Sequence, residues 1–145
     1  MVAANSTASP TERIDLGRLW WASLLAGLSA MVANVLVYFI ASAAGAIPSS
    51  VLIPGMNQPI TAMLVGLSSF VPAILAAIFL ALLNRFSRRP VRLFRIIAAV
   101  LLVISFASPA TFPGAPLAMI LALSLMHIVA AAIIVGVLTK VPVKL

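Results

Sequence analysis

NRFSRRPVRLFR, residues 84–95, carries five of the chain's nine basic residues, Arg85, Arg88, Arg89, Arg92 and Arg95, and no acid. Long apolar runs flank it on both sides. On the N-terminal side, residues 19–40 are 22 positions without a charge, and residues 60–83 form a second such run. On the C-terminal side lie a shorter apolar stretch, 93–108, and a longer one, 117–139. A bilayer core of ~30 Å needs about 20 helical residues. The basic stretch therefore reads as a hinge between two helical hairpins in a small integral membrane protein.

Composition supports lipid as the solvent. The chain has 145 residues, 64% hydrophobic and 8% charged, with a mean hydropathy of +1.27. A soluble domain carries charge on roughly a quarter of its residues. The apolar runs lack the alternation of transmembrane β-strands. The expected fold class is all-α: a four-helix antiparallel transmembrane bundle. Residues 1–17 read as a polar tail and residues 18–145 as one membrane domain. Pro48, Pro54, Gly55 and Pro59 mark the first connecting loop, and residues 109–116 mark another. Pro72 predicts a kink in the second span, and Pro90 suits the first turn of the third helix. The run 19–40 exceeds the about 7–15 residues of a signal-peptide core, so it reads as a retained span despite the Ala-Ser-Ala at 41–43.

Orientation follows from the cations. Arg13 and Arg18 precede the first span, the five arginines separate spans two and three, and Lys140 and Lys144 follow span four. All lie on one side, so the positive-inside rule puts both termini and the central loop in the cytoplasm of a cell with an inner membrane. Arg85, Arg88, Arg89, Arg92 and Arg95 would then fix topology and meet anionic lipid head groups. Trp20 and Trp21 would anchor at the same interface. Arg95 could reach back to it along its own stem.

An internal similarity links the halves. Pro54-Gly55 leads into Ala62-Met63-Leu64, and Pro113-Gly114 leads into Ala118-Met119-Ile120. The two hairpins thus read as parallel repeats.

Chemistry is scarce. The two acids, Glu12 and Asp15, lie outside the spans, there is no cysteine, and His127 is the single histidine. That set cannot supply a triad, a carboxylate-coupled proton exchanger or a multi-ligand metal centre. No enzyme, cofactor or metal is expected. The high pI of 11.9 reflects missing acids rather than a nucleic-acid surface, and no nucleic acid is expected as a partner.

A thin polar layer remains. Asn34, Ser68, Ser69 and His127 fall within about one helical turn of each other in depth. Ser23, Gly27, Ala30 and Asn34 form a small-residue seam on span one, with Tyr38 one turn beyond. Ala62, Gly66, Ser69 and Ala73 do so on span two, and Ser124, His127 and Ala131 on span four. Such seams let helices approach closely in lipid. Asn34, Tyr38, Ser69, Ser124 and His127 are therefore candidate pocket residues. The alternative is that they bond to one another as packing glue.

The segments Arg18-Leu19-Trp20-Trp21, Asn34-Val35-Leu36-Val37-Tyr38 and Leu125-Met126-His127-Ile128-Val129-Ala130 resemble an uncharacterised bacterial family, largely actinobacterial. Its members are four-span membrane proteins catalogued as a domain of unknown function. The resemblance implies the fold and a bacterial inner membrane, and it transfers no activity or site.

Two functions are expected to compete. The first is a non-enzymatic structural or interaction role in the cell envelope, the bundle packing on itself as a homo-oligomer or on a membrane protein partner. The second is a transporter or binder of a small neutral or lipid-like molecule, using the Asn/His/Ser layer. The role of His127 separates them.

Overall fold

The computed structural model describes residues 13–144. Four helices long and apolar enough to cross a membrane dominate it. Helix α1 spans Leu16–Ala43, α2 Ala62–Phe86 and α3 Pro90–Ser105; α3 runs on into a single turn, α4, at Ala107–Ala110, and α5 spans Leu117–Leu138. The chain is a multi-pass membrane protein with an up-and-down helical bundle. One end of the bundle carries the arginines and both ends of the described chain (the basic end). The other carries the Pro/Gly loops (the loop end).

Local chemistry sets the boundaries. Helix α1 starts before the expected residue 19, because the Asp15 carboxylate accepts from the N–H groups of Gly17 and Arg18 and satisfies orphan donors. Residues 13–17 thus depart from the expected tail, and residues 1–12 lie outside the described residues. Thr61 caps α2 through Leu64 N–H, so Ile60 belongs to the loop. Helix α2 continues through Pro72. Pro90 opens α3, three residues before the expected start. Helix α3 then ends at Ser105, where Pro109 has no N–H to offer the Ser105 carbonyl.

A feature absent from the sequence expectations closes the basic end. Strands β1, Arg13–Ile14, and β2, Val143–Lys144, pair antiparallel. Asp15 N–H donates to Pro142 O at 2.8 Å, and Ile14 N–H donates to Asn84 Oδ1 at 3.2 Å. The first residue of the basic stretch thereby ties the two chain ends to the end of α2. The five arginines are exposed around this clasp. Arg88 and Arg89 precede α3, so of its arginines only Arg92 and Arg95 lie on the helix. Arg95 turns toward α5, donating from Nε and Nη2 to Thr139 Oγ1 at 3.3 and 3.0 Å.

Helix α1 is the hub. Its seam of Ser23, Gly27, Ala30 and Asn34 is buried, and it packs along both α2 and α5. Gly66, Ser69, Ala73 and Ala77 are the buried counterparts on α2. The seams meet within one chain. Two apolar clusters result: one toward the basic end, with Leu19, Ala26, Leu80 and Leu138, and one toward the loop end, with Val51, Val65, Met119 and Met126. Helix α3 stands apart. Its buried residues, Pro90, Val91 and Phe94, all fall in the first turns, where the Phe94 and Phe79 rings lie 6.4 Å apart. Beyond them no residue of α3 is buried, and the chain meets α5 again at α4, where Pro109 is buried; α2 and α5 themselves touch only sparsely.

Gly55 and Gly114, in the two repeated Pro-Gly steps, both adopt positive φ, 79° and 70°, which a side chain would disfavour. The two halves share this turn but not their packing.

Close approach is tightest at Gly27, where a Cβ would lie 2.7 Å from Phe70 Cδ2 and 3.3 Å from the Phe70 carbonyl oxygen. Gly27→Leu should destabilise the bundle by about 1–3 kcal/mol through overpacking. Gly136, with open space around it, should accept Ala without loss. Reversible unfolding in bicelles checks the pair, and equal responses would refute α1 as the hub.

Candidate functional site

In hydrocarbon a polar side chain must find its partner in the protein. Asn34, 3% exposed, does so only in part. Its Nδ2 donates to Ser69 Oγ at 2.8 Å and to the Met126 carbonyl at 3.0 Å. A carbonyl can only accept, so the contact with Met126 fixes which amide atom is nitrogen. Ser69 passes its own proton to Val65 O at 2.8 Å. One asparagine on α1 thus joins α2 and α5 at a single depth. Its Oδ1 is buried with no partner.

His127, half-buried on α5, does not bond to Asn34. Its Nδ1 lies 2.8 Å from Leu123 O, four residues back on the same helix. The carbonyl requires a proton on Nδ1, and with that tautomer Nε2 is left as an acceptor. The glue expectation therefore holds for Asn34 with Ser69 and not for His127.

Loose packing beneath α3 leaves a groove between α2 and α5 with two chambers. The loop-end chamber, about 330 Å³, is lined by Asn34, Ser69 and Met126, with Pro109 and Phe112 opposite. The second, about 460 Å³, runs beneath α3 between Phe79, Phe94, Leu101 and Ile134. Ser68, His127 and Ala130 line both and mark where they meet. Each chamber falls within the 300–1,000 Å³ typical of ligand pockets, mostly apolar with a few convergent polar groups.

The other sequence candidates lie elsewhere. Tyr38 points past the layer, its hydroxyl donating to Ile60 O at 3.0 Å to latch the first loop. Ser124 is half-buried on α5 and lines neither chamber. Arg85, Arg88, Arg89, Arg92 and Arg95 are at the basic end, apart from both chambers. Sequence reasoning missed Ser68 as a site residue, and also Ser105 and Ala130. The signal was present in Ala130-Ala131-Ala132, where small side chains leave room beside the histidine.

The model of a family of unknown function, DUF6069, matches residues 14–142. The chain belongs to that family. No curated protein and no solved structure matches it. The matched region in this DUF6069 chain takes in all four spans and the groove and stops just short of strand β2, so the bundle and groove lie within one family unit.

The bond between Asn34 and Ser69 should be measurable. A double-mutant cycle with Asn34→Ala and Ser69→Ala should give a coupling of about 0.6 kcal/mol, and at most about 1.7, the range of interhelical bonds in membranes. A coupling of zero would remove the polar contact as a determinant of the groove floor.

Proposed function

We propose that this DUF6069 protein is a non-enzymatic binder of a small, uncharged, lipid-soluble molecule held in the α2–α5 groove. The observation that carries this reading is the junction of the two chambers at Ser68 and His127, beside a buried Asn34 oxygen without a partner. That oxygen is sealed from the groove surface, so the polar contacts open to an occupant are those of Ser68 and His127. The walls carry no charge, which favours a neutral guest. Helix α3 covers the groove from one side, and none of its residues beyond Phe94 is buried, which favours entry from the bilayer.

This reading is preferred to oligomeric or partner packing in the envelope for one reason. The small-residue seams of α1 and α2 that would mediate such packing are buried within the chain. The basic end faces the cytoplasm in this proposal, by the positive-inside rule, with its exposed arginines toward anionic head groups.

Native mass spectrometry of protein released gently from its own membrane should show a discrete additional mass. Ser68→Trp, which places bulk in both chambers from an exposed position, should remove that mass while leaving the thermal midpoint of the bundle nearly unchanged. Bare wild-type chains throughout would overturn the proposal. The natural absence of cysteine makes orientation testable as well. In intact cells Ser50→Cys should react with an impermeant maleimide and Phe86→Cys should not. The reverse labelling would invert the topology.

A further inference from the structure

The protons in the groove are nearly all committed. Ser68 Oγ donates to Val65 O at 3.1 Å, Ser69 Oγ to the same carbonyl at 2.8 Å, and Ser105 Oγ to Leu102 O at 2.7 Å. Both Asn34 amide protons are engaged, and the Nδ1 proton of His127 is held by Leu123 O. Among the side chains lining the two chambers, only the exposed Ser108 hydroxyl retains a proton to give. What is left over toward the groove is acceptors: His127 Nε2 and the lone pairs of Ser68. A helical serine bonded to a carbonyl in its own preceding turn keeps those lone pairs.

We infer that the groove selects hydrogen-bond donors, so that its occupant is an apolar molecule bearing a hydroxyl or N–H group, and that His127 Nε2 at the chamber junction receives that proton. This rests on the groove being a binding site, as proposed above. The chemistry points to a lipid-soluble alcohol, phenol, hydroquinone or amide. A ketone, quinone, ester or ether of the same shape presents only acceptors, and would set lone pair against lone pair in a medium without water to mediate. An ammonium would supply donors too, but there is no acid in the walls to offset its dehydration. Neutral donors are therefore favoured over charged ones. The apolar body would lie under α3 between Phe79, Phe94 and Leu101, with its polar end at His127.

The test pairs decanol with methyl decyl ether, which share an apolar chain and differ in the donor. Binding of each is titrated to the full-length protein in lipid nanodiscs, with the imidazole nitrogens labelled for NMR. The alcohol should bind at least roughly tenfold more tightly, the worth of one hydrogen bond. It should also move the His127 Nε2 resonance upfield, which the ether should not do. His127→Phe should bring the two affinities together without unfolding the bundle, since the one protein hydrogen bond of His127 lies within its own helix. Equal affinities in the wild type, or a preference for the ether, would overturn donor selection and leave the binding groove standing. An alcohol preference that survives His127→Phe with an unmoved Nε2 resonance would overturn His127 as the acceptor. Failure of both probes to bind would overturn this inference together with the proposed function.

Discussion

Hydrocarbon supplies no hydrogen-bond partner, and the polar architecture of this protein follows from that constraint. The hydroxyls of Ser23, Ser69, Ser105 and Thr139 each turn to a carbonyl of their own helix, as in Ser23 to Trp20 O and Thr139 to Val135 O. His127 does the same with Leu123 O. Asn34 is different. Its amide is too rich in donors and acceptors to be satisfied by one turn of helix, so it reaches across to α2 and α5 at once. That bridge marks the depth where three helices meet. It also leaves one oxygen over, and the groove begins at that residue.

Small side chains decide which helices can take part. Helix α1 presents a serine, a glycine and alanines in register with the glycine, serine and alanines of α2, so these backbones approach until Phe70 fills the space over Gly27. Helix α3 makes no comparably close contact: Ile96, Val100, Val103 and Ile104 face outward, while Ile97, Leu101 and Leu102 line the space beneath it. It is fixed at its first turns by Phe94 and by Arg95 on Thr139 and again at α4 by buried Pro109, with looser packing between. Packing of unequal closeness around one hub helix is what opens space between α2 and α5. Structure and site thus share one cause.

Much of this was legible in the sequence. The four spans follow from apolar run length, and Pro90 at the start of α3 follows from its missing N–H. The meeting of Asn34 with Ser69 was readable because counting residues from the span ends gives depth, and small-residue spacing gives facing. Other features were not. Tyr38 shares the Asn34 face but lies a turn further out, where the loop carbonyl of Ile60 is the nearer partner. Ser124 has the right spacing and the wrong side of α5. The β1–β2 clasp is two residues long on each side, too short for any periodic signal. The groove itself depends on how far α3 leans, a tertiary property that no single run of residues encodes.

The central claim is that the space between α2 and α5 holds a guest whose polar end meets His127. It is tested most directly by a high-resolution cryo-EM map of the protein purified in its native lipid and held in nanodiscs. The account predicts discrete, non-protein density under α3, reaching within hydrogen-bond distance of His127 Nε2. A map with α3 packed flat against α2 and α5, closing both chambers, would contradict it.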